Sequence, residues 1–362
     1  MAEPFIADLC RRVQDHAARK AALRIRGGGT KDFYGEALEG DVLDMSGYAG
    51  IVAYEPKELV LTVRAGTPLA QVEAALGAER QMLPFEPPRF GRASATDAAS
   101  SAGPTIGGIV ASGLSGPRRP YAGAVRDFVL GTRIVNGKGE DLAFGGRVIK
   151  NVAGYDVSRL MAGALGTLGV ITEVSFKVLP RPAAEATLSF EMDERAAMEQ
   201  ANRWAGQPLP LSATSWHDGR LLVRLSGAAS ALDAARRKMG GEEARDQAEY
   251  WRDLRDQRAP FFAGEDALWR VSLPQTAEPL AVGPAPLVEW GGGLRWIRGD
   301  VDAAAIRAGA ERLGGHATLF RAVDKAPGVF HPLKPAVMKI HRRLKEAFDP
   351  AGILNPNRMY RF

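Results

Sequence analysis

Apolar residues at the start of the chain fall on one helical stripe. Phe5, Ile6, Leu9 and Val13 keep three-to-four spacing, which predicts a helix over residues 5–20. A short β-rich run at 21–26 then enters Gly27-Gly28-Gly29-Thr30. Two further strands are expected at 51–54 and 59–63, parted by the turn-forming Glu55-Pro56-Lys57-Glu58. Thr67-Pro68 has the form of a helix start, with a hydroxyl N-cap and proline at the first helical position, and predicts a helix to Leu76. Residues 86–120 read as loop, within which a Gly-Gly pair heads a short helix. The runs 128–135 and 140–144 flank Asn136-Gly137, a pair that tolerates positive φ, and predict a hairpin. A helix over 155–164 and an alternating strand over 170–179 follow.

Pro180-Arg181-Pro182 is the natural domain boundary. Beyond it the composition shifts toward Ala, Glu and Arg, with short strands such as 221–225, a basic helix at 335–347 and a tail punctuated by Pro and Gly. The expected architecture is α+β in two lobes: residues 1–180, residues 181–335, and a closing helix and tail at 336–362. No repeat of solenoid period is present.

Composition narrows the class. With 362 residues, 46% hydrophobic and 25% charged, the chain is an ordinary globule long enough for two cores. No apolar run approaches the ~20 residues of a membrane helix, and the first twenty residues are too charged for a signal peptide, so a cytoplasmic location is expected, with access to the inner membrane face only through partners. A single cysteine, Cys10, excludes an internal disulfide and an iron–sulfur cluster held by this chain alone. Five scattered histidines, at 16, 217, 316, 331 and 341, show no zinc-hydrolase spacing, and no metal site is expected. The net charge of +5 is dispersed, without the basic blocks that nucleic-acid binding calls for; the basic helix from Lys334 to Lys345, including Arg342 and Arg343, is a candidate docking face.

Glycine changes the picture. There are 41 glycines, and 15 of the 70 residues from 101 to 170 are glycine, so this region is either loop-rich scaffold or backbone brought close to a ligand. Arg26-Gly27-Gly28-Gly29-Thr30-Lys31 follows a strand and frees several amides to face one anion, although it is neither a Rossmann nor a P-loop signature; a tight turn is the plain alternative. Pro104-Thr105-Ile106-Gly107-Gly108 brings free amides and a helix start. Gly163-Ala164-Leu165-Gly166-Thr167-Leu168-Gly169-Val170-Ile171 feeds a buried strand.

Together these three segments, in this order, resemble the FAD-binding domain of the vanillyl-alcohol oxidase superfamily (the PCMH type) over residues 1–180, and the tail Phe348-Asp349-Pro350-Ala351-Gly352-Ile353-Leu354-Asn355-Pro356 resembles that family's C-terminal segment. Ser112-Gly113-Leu114-Ser115-Gly116-Pro117-Arg118-Arg119-Pro120, Arg126-Asp127-Phe128-Val129-Leu130-Gly131 and Lys150-Asn151-Val152-Ala153-Gly154-Tyr155-Asp156 are similar to the FAD-binding subunits of bacterial glycolate oxidases, over the whole length. The resemblance implies a two-lobed PCMH-type fold, with the tail returning to the FAD domain. It also implies a larger flavoprotein subunit and an iron–sulfur subunit as partners, and oxidation of a small 2-hydroxy acid, glycolate to glyoxylate.

By that resemblance Arg26, Gly27, Gly28, Gly29, Thr30, Lys31 and Asp32 would wrap the FAD pyrophosphate. Pro104, Thr105, Ile106, Gly107, Gly108, Ser112 and Gly113 would contact phosphate and flavin. Gly163, Gly166, Thr167, Gly169, Val170 and Ile171 would line adenosine and isoalloxazine, while Asn355 and Arg358 close the flavin side. Some relatives attach flavin through a His in the first loop; glycine and threonine stand there, so non-covalent FAD is expected. Asn357 replaces a glycine common in the family's tail and should tolerate the same left-handed turn.

The second lobe departs from the related 2-hydroxy-acid dehydrogenases. Their H-x-x-G-D-G-N-x-H metal motif does not occur between 181 and 362. His331 then reads as a loop or interface residue, His341 as part of the basic helix face and His217 as a turn residue. A substrate carboxylate needs a cation and its hydroxyl a base. Arg118, Lys150 and Tyr121 are the available candidates, with Arg119 and Tyr155 beside them, although Arg118-Arg119 between prolines also suits an exposed turn. Two other readings stay open: a stand-alone FAD-dependent 2-hydroxy-acid or alcohol dehydrogenase, and a scaffold subunit with an idle flavin site.

Overall fold

The computed structural model describes residues 3–90, 103–146, 156–244 and 247–362. The first helix, α1 (Pro4–Arg19), buries the stripe Ile6, Leu9, Val13 and His16. These pack on a parallel strand pair, β1 (Leu23–Arg26) and β2 (Asp41–Asp44), and on Ile353 and Leu354 of the tail. An antiparallel sheet follows, built from β3 (Ile51–Glu55), β4 (Val60–Arg64), β6 (Val129–Val135), β7 (Asp141–Gly145) and β8 (Val170–Lys177) in the order β3-β4-β8-β6-β7. The helices α2 (Leu69–Ala78) and α3 (Ile106–Ser112) bury Leu69, Val72, Leu76, Ile106, Ile109 and Val110 against it. A small pair, β5 (Gln81–Met82) with β9 (Leu179–Pro180), ends this lobe.

The chain then crosses into an eight-stranded antiparallel sheet that begins with β10 (Ala184–Glu191). It is completed by β11 (Leu211–His217), β12 (Arg220–Gly227), β13 (Glu242–Glu243), β14 (Leu268–Ser272), β15 (Leu287–Glu289), β16 (Leu294–Arg298) and β17 (His316–Arg321). Its order is β13-β10-β12-β11-β15-β16-β14-β17. The two lobes share an aromatic core in which Tyr34, Phe90 and Leu114 of the first meet Trp251, Trp290, Trp296 and Phe320 of the second. The last helix, Pro335–Phe348, comes back to the first lobe, where Leu344 and Phe348 touch its core. Among the described residues no helix is long and apolar enough to cross a membrane.

Several local expectations are corrected by tertiary contacts. Thr67 does not cap α2, whose N-cap is Pro68; its hydroxyl instead accepts from the Gly50 amide at 2.9 Å and donates to the Arg64 carbonyl at 2.7 Å. In the β6–β7 turn the positive φ sits at Gly139 rather than at Asn136-Gly137. Asn136 uses its side-chain oxygen to accept from the amides of Lys138 and Glu140, and Gly137 is small because the tail's Asp349 lies over it. The helix expected over 155–164 is one turn, Val157–Leu160, capped by Asp156; Tyr155 lies outside the described residues. His217 ends β11, and the turn itself is Asp218-Gly219.

A buried ionic network ties the lobes. Glu86 of the first lobe accepts from Arg224 of β12 at 3.0 Å and from the Arg118 amide at 2.9 Å. Burial pushes the Glu86 carboxyl up, but Arg224 and Arg118 outweigh it and hold it below its ordinary value. The sign is that of a depressed acid: its contribution is present above the unfolded carboxylate range and lost as pH falls through the folded value. Wild-type urea midpoints should therefore decline below pH ~4.5, where unfolded glutamates begin to protonate, whereas Glu86→Gln should start lower at neutral pH and decline less. Parallel profiles for the two proteins would refute the assignment.

Candidate functional site

β1 delivers the segment 26–32 to the mouth of a cleft that, with the solvent space in its mouth, encloses roughly 800 Å³. Gly28 is required sterically, because a Cβ there would sit 1.8 Å from the Gly103 carbonyl oxygen. On the other side, α3 starts with Thr105, whose hydroxyl accepts from the Gly108 amide at 3.4 Å. Its next residues lie so close to the end of β4 that a Cβ on Gly107 would meet the Ala65 methyl at 2.8 Å. Two glycine segments far apart in sequence thus face each other as bare backbone. The amides of Gly28, Gly29, Thr30 and Lys31 find no acceptor among the described residues, and all four residues line the cavity.

The tail completes the enclosure. Asn355, at φ 39°, accepts from the Ile25 amide at 2.7 Å and donates to the Leu165 carbonyl at 2.6 Å. Asn357 adopts the left-handed turn at φ 57°. Arg358 donates to the carbonyl oxygens of Lys31, Asp32, Tyr34 and Glu36, so one side chain sets the path of the whole loop after the glycines. Burial draws its pKa down to about 10. The tail is itself pinned by a buried ion pair: Lys345 donates to Asp349 at 2.6 Å, to the Thr167 carbonyl at 2.8 Å and to the Leu354 carbonyl at 2.7 Å. Lys345 therefore leaves the expected docking face, which reduces to the exposed Lys334, Lys339, Arg342 and Arg343.

The charges in the cradle are unequal. Asp32 is neutralised by Arg24 at 2.7 Å and Arg26 at 2.8 Å. Lys31 pairs with no carboxylate among the described residues; it touches the Thr30 hydroxyl at 3.5 Å and lies over the Phe90 ring at 5.8 Å. Burial alone pulls its pKa down to about 8. A desolvated ammonium beside unused amides is a site for an anion, and the apolar walls from Ile25, Leu38, Met45, Ala65, Ala111, Leu165 and Ile171 suit flat rings on either side of it. The donors and walls fit an anionic cofactor with flat rings, such as FAD.

The cavity wall brings together Arg26 to Asp32 with Thr105, Gly107, Gly108, Ser112, Gly166, Gly169, Ile171, Asn355 and Arg358. Six residues named with them from the sequence take other places. Pro104 accepts from the Leu69 amide, Ile106 and Val170 are core side chains, and Thr167 turns its hydroxyl to the Ala164 carbonyl. Gly113 and Gly163 pack on each other behind the wall, where a Cβ on Gly113 would sit 2.8 Å from the Gly163 Cα. Leu38 and Met45 line the cavity without any motif to mark them, whereas Ile25 and Leu165 adjoin residues that motif reading had singled out.

The candidates for substrate chemistry move away from the cradle. Arg118 is buried in the lobe junction and donates to Glu86, to Ser226 at 3.3 Å and to Glu185 at 2.6 Å, so its charge is already matched and it is no exposed turn. Tyr121 packs on the second lobe's core, bonded to Thr214, and burial pushes its pKa up to about 12. Neither lines the cavity. Lys150 lies outside the described residues. His331 and His341 flank Tyr360, which donates to the His331 carbonyl at 3.2 Å and meets the His341 ring edge-on.

Comparison with known proteins agrees with this geometry. Residues 6–145 match the FAD binding domain family, and residues 323–359 match the C-terminal domain of FAD linked oxidases. The chain is 46% identical to glycolate oxidase subunit GlcE of Escherichia coli (strain K12) over 352 residues, covering 97% of this chain and 96% of that protein. It is 36% identical to glycolate oxidase subunit GlcD of Bacillus subtilis (strain 168), over 33% of this chain and 26% of that protein. Among solved structures, p-cresol methylhydroxylase with substrate bound superposes with a TM-score of 0.67 at 15% identity, covering 98% of this chain and 87% of that one. Alkyldihydroxyacetonephosphate synthase gives 0.65 at 16%, covering 98% and 76%; at such identities the likeness is one of fold.

Proposed function

The chain belongs to the family of the glycolate oxidase subunit GlcE, with the two-lobed PCMH-type fold, and from that premise we propose that it is the FAD-binding subunit of a complex oxidising glycolate to glyoxylate. The observation that carries the reading is the cradle itself: amides and a Lys31 that have no partner carboxylate or acceptor among the described residues, in the wall of an apolar cleft. Bound FAD supplies a two-electron acceptor for the C–H bond beside a hydroxyl. The amides of residues 28–31 and Lys31 hold its anionic part, Arg358 and Asn355 fix the loop and tail around it, and the aromatic core between the lobes excludes water. Attachment is non-covalent in this reading, since among the described residues the cavity wall contains neither histidine nor cysteine and Cys10 packs against the α1 core.

Electrons must then leave by another chain. One cysteine cannot ligate an iron–sulfur cluster, so the reading requires partners, and a larger flavoprotein subunit and an iron–sulfur subunit fit that need. The test is the anaerobic visible spectrum of the isolated chain before and after glycolate, followed by acid precipitation. Flavin bands that bleach place substrate oxidation on this chain, and bands that persist make it a relay within the complex. Colour released into the acid supernatant supports non-covalent binding. A colourless chain that takes up no added FAD overturns the proposal.

A further inference from the structure

Between the lobes, beyond the cradle, lies a second and narrower cavity. Phe90 and Leu114 of the first lobe and Arg270, Glu289, Trp296 and Phe320 of the second are among its walls. The deep arginines elsewhere have partners: Arg224 holds Glu86, and Arg295 donates to the carbonyls of Ala277 and Glu278. Arg270, on β14, does not. Its guanidinium has no hydrogen bond or ion pair among the described residues; the Trp290 ring lies 5.3 Å from the guanidinium carbon to the centroid, and Glu289 and the Tyr34 phenol act on its charge without bonding it. Arg119 lies over the same ring at 4.4 Å, so two cations crowd one indole. Burial and then Arg270 and Arg126 draw the Arg119 pKa down to about 10, with Asp127 opposing, so the two guanidiniums repel each other across the indole.

The backbone at this point is also strained. Trp290 has φ 57°, followed by Gly291 at 63° and Gly292 at 103°. A bulky residue in the left-handed region persists only where its surroundings impose it, and such residues cluster at functional sites. Here the Trp290 indole N–H donates to the Gly116 carbonyl at 3.1 Å, and its own carbonyl accepts from the Gln275 side chain at 2.8 Å. The turn sets Glu289, the preceding residue, into the cavity wall beside Arg270. One carboxyl oxygen of Glu289 accepts from the Trp296 indole at 2.8 Å; the other has no donor among the described residues. The cavity adjoins the cradle through Phe90, which carries Lys31 on its ring.

We propose that this cavity binds the small acid itself, with Arg270 clamping the carboxylate of a 2-hydroxy or 2-oxo acid and Glu289 bonding its 2-oxygen. The proposal rests on the reading of the chain as a 2-hydroxy-acid oxidoreductase subunit. Burial pushes the Glu289 pKa up to about 7, with Trp296, Arg270 and Arg224 opposing and Glu86 adding to the rise; the Tyr250 phenol nearby, itself at about 12, stays neutral. Near neutrality Glu289 thus has both forms at hand. The ionised form accepts from a hydroxyl and the protonated form donates to a carbonyl. A bound carboxylate adds negative charge beside Glu289, so anion binding takes up a proton and weakens as pH rises above 7.

Oxalate, a redox-inert two-carbon acid, is the probe, titrated calorimetrically into the FAD-loaded full chain at pH 6 and pH 8. Binding should be tighter at pH 6, and Arg270→Gln should weaken it by roughly 10- to 100-fold, as expected for a lost charged hydrogen-bonding partner. Arg270→Lys should restore part of the affinity, and Glu289→Gln should keep binding while flattening its pH dependence. Flavin content is expected to be the same in all four proteins, because neither residue lines the cradle. Oxalate that fails to bind the flavin-loaded wild type, or binds Arg270→Gln equally well, overturns the proposal. Should Arg270→Gln not fold, proton uptake by the wild type at pH 7, measured in two buffers of different ionisation enthalpy, decides: uptake supports the site and its absence overturns it. A chain that takes no FAD yet binds oxalate through Arg270 would fail the flavin reading while retaining this site.

Discussion

Gly28→Asp is expected to yield a colourless protein, with FAD affinity reduced by at least ~100-fold through two additive causes: steric exclusion of the loop and a carboxylate set among amides that await phosphate. The steric cause is local and severe, since a Cβ at Gly28 would lie 1.8 Å from the Gly103 carbonyl oxygen. Lys31→Gln separates charge from shape. It leaves the backbone path intact and should weaken FAD by about tenfold to a hundredfold, the worth of one charge-assisted contact. Flavin content and thermal midpoint are measured together on both variants. A folded Gly28→Asp protein with stoichiometric flavin would show that the cofactor lies elsewhere.

The second large effect concerns the tail. Lys345→Ala should cost ~3–5 kcal/mol of stability, because it strands the Asp349 carboxylate in the interior. Asp349 has no exposed side-chain surface, and besides Lys345 it accepts from the amides of Ile353 and Leu354. Losing that anchor should also loosen Asn355 and Arg358, which hold the cradle closed, so flavin should dissociate more readily from the variant. Denaturant unfolding at neutral pH with a flavin-release assay checks both. A cost below about 1 kcal/mol, within the range of surface ion pairs, would mean that the pair is dispensable.

These two variants also show how far the chain could be read in one dimension. Gly28 was legible because three consecutive glycines after a strand have few purposes, and the loop's place in the cavity wall follows from β1 feeding it directly. Lys345 was not. On a helix with Arg342, Arg343 and Lys339 it looks like one more solvated base, and only the return of the tail, with Asp349 one turn further on, puts it inside. Arg118 failed in the same manner: its partners Glu185 and Ser226 come from the other lobe, so no local pattern could announce them. Arg270, Glu289 and Trp290 belong to strands and a turn without a motif, and their meeting depends on the sheet order β15-β16-β14.

By itself the sequence determined the class of cofactor and the family through its resemblance to PCMH-type FAD domains: the glycine segments, their order and their spacing are covalent facts that the resemblance rests on, whereas each segment alone would equally suit a tight turn. It also determined the absence of a self-contained iron–sulfur cluster, since a single thiol cannot ligate one. Which glycines face the ligand and which merely let backbones touch, which cations are paired across lobes and which are left open to an anion, were decided only by tertiary structure. The physical reason is that burial and pairing are properties of distance in space: Lys31 and Lys345 are the same residue type, yet among the described residues Asp349 stands beside Lys345 and makes it a clasp, while no carboxylate stands beside Lys31, which is left open to an anion.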